Sequence, residues 1–324
     1  RPGNDIDQLS DALIMSDGGS ALDPNPAFLT ARTDLDTYTV DIVFEDRPAP
    51  PLVRAPNTLY AGSGTTHGAF NKQLVYRIYL PDPGADELGD RTEPTQTFVG
   101  PQGEIDLKNT PDKSRCNTIA TVQKYNVIFP VTAVGQPQSK LAFHVVSGRG
   151  GLNFYPNGDG NFLRGLIAKQ YGDLVVIRGK VASTPALFPD VVANPDTRYF
   201  SLCEFQPLNS STVACLADRD TVTIDGYYTA VISTPAKRPA LANAESGYNW
   251  LPFGNGANGL IGLRQILPNP AFAGNYNLAL ANPDAPLEET LGEWAPSITY
   301  CDSNTFAAHA VAGGQAVFDA CKLA

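Results

Sequence analysis

The sequence predicts a mainly β protein: two related jelly-roll-like β-sandwich domains, with few short helices and one of them near the C-terminus. Three observations predict it. The chain repeats itself at long range, its apolar residues come in short runs broken by turn residues, and helix signals are weak before residue 304. The repeat is the most specific. Tyr38-Thr39-Val40-Asp41-Ile42-Val43-Phe44 leads to Arg47-Pro48, as Tyr228-Thr229-Ala230-Val231-Ile232-Ser233 leads to Arg238-Pro239. Asn57-Thr58-Leu59-Tyr60-Ala61-Gly62 answers Asn249-Trp250-Leu251-Pro252-Phe253-Gly254, and Arg77-Ile78-Tyr79-Leu80-Pro81 answers Arg264-Gln265-Ile266-Leu267-Pro268. The offsets are 190 at Tyr38, 191 at Arg47, 192 at Asn57 and 187 at Arg77, the drift that loop insertions between fixed strands produce. So long a period marks duplicated domains, because solenoid units recur about every 20–50 residues.

Read in order, residues 1–84 form the first sandwich repeat, incomplete at its N-terminus. A polar stretch over 1–35, with turn clusters Asp17-Gly18-Gly19-Ser20 and Asp23-Pro24-Asn25-Pro26, precedes strands at 37–44 and 74–80. The acidic, proline-rich run 81–95 opens a connector over 85–150, which carries strands at 96–107, 118–133 and 140–147. Residues 151–324 form the second repeat, with strands at 173–179, 197–203, 212–216, 221–224, 227–233 and 259–267. These runs are rich in Val, Ile, Thr, Tyr and Phe and are bounded by Gly, Pro, Asn or Asp. A terminal helix is expected over 304–322, capped by Asn304 and weakened by Gly313-Gly314. The strand at Tyr38 lacks the three upstream strands that precede Tyr228. The expectation is therefore that an upstream fragment or a neighbouring copy completes the first sandwich.

Composition sets the bounds. Among 324 residues there are 29 Gly and 27 Pro, with 43% hydrophobic and only 17% charged residues, which suits a turn-rich globular β protein. A net charge of −10 with no basic stripe argues against nucleic acid. No run of 18 apolar residues is present, so no transmembrane helix is expected. A chain starting Arg1-Pro2 reads as processed or clipped. Cys203 and Cys215 flank a short polar loop, and Cys301 and Cys321 bracket the terminal segment. With no CxxC and no zinc spacing, two disulfides are expected, with Cys116 left over. Disulfides imply an oxidising setting: the periplasm, the cell surface or the medium.

Asn153-Phe154-Tyr155-Pro156-Asn157-Gly158-Asp159, Asp173-Leu174-Val175-Val176-Ile177-Arg178 and Arg198-Tyr199-Phe200-Ser201 follow one another in an order that resembles the bacterial twelve-fifty-four domain of unknown function. Asn249-Trp250-Leu251-Pro252 with Leu263-Arg264 resembles its usual partner, the twelve-fourteen domain. The resemblance covers 150–271 and, through the repeat, 36–84. It implies a secreted or envelope pair of β-sandwiches with no settled activity. Gly160-Asn161-Phe162 stands where that pattern has Thr-Leu-Tyr.

Residues that carry chemistry are few. Gly254-Asn255-Gly256-Ala257-Asn258-Gly259 spells GxGxxG, but a turn precedes it and a strand follows, so a glycine-rich hairpin loop is expected rather than a dinucleotide site. Asn157, Asp159 and Asn161 alternate as calcium ligands do. A tight turn and a Ca2+ site both stay open, although position 168 is Ala where an EF-hand needs Glu. Ser63 with His67 lacks the elbow that a hydrolase nucleophile needs, and His144 and His309 stand apart from any nucleophile. Arg77, Arg178, Arg198 and Arg264 lie in or beside apolar strands. They read as clamps that close each sandwich, or as an anion site inside it.

Three functional readings follow. The first is a secreted or cell-envelope binding or structural module with no catalytic signature, taking a small molecule or glycan at Asp159, Arg178, Tyr199, Trp250 and Arg264. The second is a secreted hydrolase or lyase on a carbohydrate or small organic acid, using an Asp/Arg/Tyr cleft at Asp159, Arg178 and Tyr199. The third is a self-assembling surface or filament protein. No cofactor beyond that calcium reading is implied.

Overall fold

The computed structural model describes residues 38–49, 51–62, 94–107, 136–146, 160–185, 195–207 and 211–323, together with residues 7, 9 and 84. The protein is mainly β, with few short helices and one near the C-terminus. The strands are β1 (Asp41–Val43), β2 (Thr58–Tyr60), β3 (Gln96–Gly100), β4 (Gly103–Leu107), β5 (His144–Val146), β6 (Gly160–Ala168), β7 (Leu174–Lys180), β8 (Thr197–Phe205), β9 (Thr212–Ala217), β10 (Tyr227–Ser233), β11 (Asn249–Pro252), β12 (Asn258–Pro268) and β13 (Ser297–Cys301). The helices are α1 (Tyr276–Ala279), α2 (Leu287–Leu291), α3 (Ser303–His309) and α4 (Gly314–Leu323). The chain divides into two compact units, residues 1–72 with 129–324, and residues 73–128. The smaller unit contains the antiparallel β3–β4 pair, in register from Gln96↔Leu107 to Gly100↔Gly103.

In the larger unit, two sheets of order β11-β10-β7-β13 and β5-β6-β12-β8-β9 enclose the main core. Successive strand residues point to opposite faces. Val175 and Ile177 of β7 therefore join Leu163, Ile167, Phe200, Leu202, Ala230, Ile232, Ile261 and Leu263 between the sheets. The alternate residues Leu174 and Val176 are just as buried, because β7 is covered on both faces, as its continuous apolar run requires. They pack with Val231 and Tyr248 against Phe306, Val317 and Phe318 of the terminal helices. The four-stranded sheet is thus the middle layer between a second sheet and a helical layer. Across the interior, the backbone N–H of Ala168 donates to the Tyr300 hydroxyl at 2.9 Å, tying one sheet to the other.

Both disulfides form. Cys203–Cys215 joins directly opposed residues of β8 and β9, and Cys301–Cys321 fastens α4 to β13. The terminal helix differs from expectation. It is two helices, and the cap is Asp302, whose carboxylate accepts from the N–H groups of Asn304 and Thr305 at 2.9 Å. The break falls at Gly313, whose φ of +99° only glycine adopts freely. Gly314 then lets α4 lie close on the sheet, since a Cβ there would come within 2.0 Å of Thr229 Oγ1.

Other differences have local causes. Residues 221–224 form no strand, because Asp225 and Gly226, both at positive φ, turn the chain directly into β10. The GxGxxG loop is a crossover and not a hairpin: β11 lies in one sheet and β12 in the other. The strand expected at 118–133 lies outside the described residues, as does nearly all of the segment on which the incomplete first sandwich rests.

Two parallel pairs share their detail. β1 pairs with β2 through Asp41↔Thr58, and β10 pairs with β11 through Val231↔Trp250. Asn57 Nδ2 donates to the Thr39 carbonyl at 3.0 Å, and Asn249 Nδ2 donates to the Thr229 carbonyl at 3.3 Å. The N–H of Ala61 reaches the Val43 carbonyl at 2.8 Å, and that of Phe253 the Ser233 carbonyl at 2.7 Å.

Candidate functional site

One end of the sandwich interior opens in a narrow aromatic cleft. It is lined by Phe200 of β8, Tyr228 of β10, Leu263 and Gln265 of β12, Lys180 of β7, and Phe272, Tyr276 and Trp294 from the segment carrying α1 and α2. Inward alternation brings the strand residues there, next to the core leucines and isoleucines of the same strands. The segment is bolted down by two amides. Gln265 Nε2 donates to the Gly274 carbonyl at 2.9 Å while its Oε1 accepts from the Tyr276 N–H at 3.0 Å, and Asn161 donates to the side chain of Asn277.

Trp294 closes the rim. Phe272 meets it edge-on at 4.8 Å, and Lys180 Nζ sits 4.3 Å from its ring and 2.6 Å from Glu293 Oε1. Such edge contacts and cation–π contacts each contribute about 0.5–1.5 kcal/mol. The Tyr228 and Tyr276 hydroxyls make no hydrogen bond with the described residues. Burial pushes both phenols well above their ordinary pKa, so they enter the cleft as neutral O–H groups. The free space is about 20 Å³, which is room for about one water.

The residues expected to form a site are distributed differently. Asn157 and Asp159 lie outside the described residues, as do Ser63, His67, Arg77 and Cys116. Asn161 stands in β6, engaged by Asn277. Among the described residues, no group of three or more His, Cys, Asp or Glu is placed to hold a metal. Arg178 faces the helical layer, where its guanidinium donates to Gln315 Oε1 at 2.7 Å and Thr229 Oγ1 at 3.1 Å and stacks 4.5 Å from the Tyr227 ring. It is a clamp between β7, β10 and α4. Trp250 shares that layer, with Arg238 stacked on it at 4.3 Å and its Nε1 donating to Ser233 Oγ at 3.0 Å.

Tyr199 and Arg264 stand instead on the outer face of the five-stranded sheet, opposite in direction to Phe200 and Leu263. Arg178 and Tyr199 are therefore on outer faces of different sheets, and the expected cleft between them is not formed. Alternation alone separates them: each lies next in sequence to a core residue of its own sheet.

Two charged groups were not legible as special. Glu204 continues the inward face of Phe200 and Leu202 and is fully buried. Neither of its oxygens has a hydrogen-bond partner of good geometry among the described residues. Burial pushes its carboxyl up to about 7, against the weaker pull of the Gly254 N–H and the Lys169 charge. Arg164 was missed because it lies in β6, a strand whose Gly160, Asn161 and Gly165 dilute the β signal.

No family model matches the chain, and no curated protein matches it. Among solved structures, an uncharacterized protein from Burkholderia cenocepacia aligns at 14% identity and a TM-score of 0.28, over 40% of this chain and 32% of that one. The VPA0106 protein from Vibrio parahaemolyticus aligns at 16% identity and a TM-score of 0.29, over 55% of this chain and 39% of that one. The chain thus spans well under half the length of either structure, and at these TM-scores neither likeness supports an argument about function.

Proposed function

We propose that the protein is a secreted or cell-envelope β-sandwich binding module that seats a small ring-bearing molecule, such as a glycan residue, in the aromatic cleft. The observation that carries this reading is the convergence on one opening of five aromatic rings, two of them phenols whose hydroxyls make no hydrogen bond among the described residues, with the Lys180 ammonium at its rim. Aromatic walls with a few polar groups are the usual make-up of small-molecule sites. The free space is far below the roughly 300–1,000 Å³ such sites occupy. Entry therefore requires Trp294 and α2 to swing off the rim while Gln265 and Asn161 hold α1 in place.

The secreted setting draws support from the two disulfides, which persist in oxidising compartments. A common origin of 38–62 and 228–253 is part of the same proposal, supported by the matching register and Asn–carbonyl bonds of the two parallel pairs. The motif order of 153–264 supports kinship with the paired twelve-fifty-four and twelve-fourteen domains.

The test uses fluorescence. The chain has two tryptophans, so Trp250→Phe leaves Trp294 as the reporter. A panel of mono- and oligosaccharides and aromatic acids is titrated against that variant. A saturable change in Trp294 emission, lost in Tyr276→Ala, is expected. A flat response across the panel together with unchanged melting temperatures would overturn the reading.

A further inference from the structure

The rim of the aromatic cleft carries one charge of each sign, and the two are placed differently. Lys180 is the only charged side chain among the described residues that line the cleft. Its ammonium meets Glu293 Oε1 at 2.6 Å and sits 4.3 Å from the centroid of the Trp294 ring. Glu293 stays outside, its side chain 62% exposed against 26% for Lys180. Glu293 and Trp294 are consecutive in one turn of 3₁₀ helix, Gly292–Trp294. That turn leaves α2 at Gly292, whose φ of +55° glycine adopts without strain. The carboxylate that holds Lys180 and the ring that roofs the cleft therefore ride on one short lever.

Inside the cleft the polar groups on offer are donors. Both ends of the Gln265 amide are engaged, by Gly274 and by Tyr276. The Tyr228 and Tyr276 hydroxyls remain, and burial keeps both phenols protonated. An ammonium and two phenol O–H groups, with no carboxylate among them, suit a ligand group that is anionic and accepts hydrogen bonds. The Lys180–Glu293 pair is a weak competitor for that role, because water screens an ion pair at an exposed rim. A carboxylate that meets the same ammonium beneath Trp294 is shielded from water, where attraction between charges is stronger. The phenol donors replace part of the hydration that it gives up. We propose that the cleft selects ring-bearing carboxylic acids, such as uronic or arylacetic acids, and that the ligand's carboxylate displaces Glu293 from Lys180 as Trp294 swings aside. This rests on the binding reading of the cleft and adds its ligand class, with Lys180 as the specificity-determining residue.

The experiment is calorimetric titration of the full chain with acids and with neutral counterparts of nearly the same shape. Galacturonate is compared with galactose, and phenylacetate with phenylacetamide. At least one acid is expected to bind about tenfold or more tightly than its counterpart, the worth of one hydrogen bond to a charged group. Lys180→Met, which keeps the stem without the charge, is expected to bring that pair to equal affinity. Glu293→Gln is expected to tighten acid binding about two- to fivefold, because the ligand then has no carboxylate to displace. Neutral compounds that bind as well as the acids overturn the selectivity and leave the binding reading standing. Binding of neither acid overturns the proposal, and the binding reading falls with it only if the wider panel is silent too. A preference kept by Lys180→Met, or acid binding that Glu293→Gln does not tighten, overturns the exchange. Should Lys180→Met fail to fold, the Glu293→Gln result decides alone.

Discussion

Glu204 lies wholly inside the sandwich, on the face of β8 that also carries Phe200 and Leu202. Its carboxyl is raised from an ordinary 4.5 to about 7 because desolvation penalises the charged form more than Lys169 and Gly254 favour it. The sign of the linkage follows. The folded protein holds this proton more tightly than the unfolded chain does, so the group's contribution is complete below about pH 4.5 and is lost as pH rises through about 7. The loss amounts to about 3 kcal/mol. Glu204→Gln, similar in size and uncharged, should flatten this part of the profile and make the protein more stable than wild type at pH 8. Urea unfolding at pH 5 and pH 8 checks it; parallel profiles for the two proteins would show that Glu204 does not titrate in this window. Residue identity was legible here, but burial was not. The sequence ends the strand at Cys203 and reads Glu204 as the start of a polar loop, whereas β8 runs on to Phe205 and carries Glu204 inward, under β12 and the Gly254 crossover.

At the scale of the element, α4 is held by the packing of Val317 and Phe318 on the sheet, the Cys301–Cys321 disulfide, the Arg178–Gln315 hydrogen bond and the close approach at Gly314. The disulfide closes a loop spanning 20 residues. Replacing both cysteines by serine should cost about 3 kcal/mol in the chain-entropy account, seen as a lower unfolding midpoint that no longer responds to reductant at this bridge. Gly314→Val would drive a side chain into Thr229. It should cost about 1–3 kcal/mol and raise amide exchange in α4 above that in β7. Uniform exchange across both elements would mean that α4 is not held by that contact. The helical run itself was readable from Phe306, Val317 and Phe318, whereas its division was not. Gly313 and Gly314 announce weakness, and only the packing of α4 on the sheet decides that the weakness becomes a break.

At the scale of the whole molecule, the helical layer exists because the middle sheet is apolar on both faces. Removing 303–324, with Cys301→Ser so that no thiol is exposed, would uncover Leu174, Val176, Val231 and Tyr248. The truncated protein is expected to bind a hydrophobic dye and to associate, because an apolar face of that extent does not stay free in water. Sedimentation showing a dye-silent monomer would contradict this layer order. The Leu174-Val175-Val176-Ile177 run already carried the information, since an uninterrupted apolar strand must be covered twice. What the run could not specify was the covering partner, more than 120 residues later.

The sequence by itself determined the β class, most strand positions of the second half, both cysteine pairs and the punctuation between elements. These follow from local rules: period-two alternation, turn residues, and cysteines that adjacent strands or a terminal return bring together. It did not determine which charged and aromatic side chains meet. Arg178 and Tyr199 looked like partners in a cleft, and the tertiary structure sends them to outer faces of different sheets, because each takes its direction from a core neighbour. Lys180, Phe200, Tyr228, Gln265, Tyr276 and Trp294 looked unrelated across more than 110 residues, and the closing of two sheets brings them to one opening. Site geometry is a property of long-range pairing, and pairing is decided by burial of whole faces rather than by any one segment's pattern.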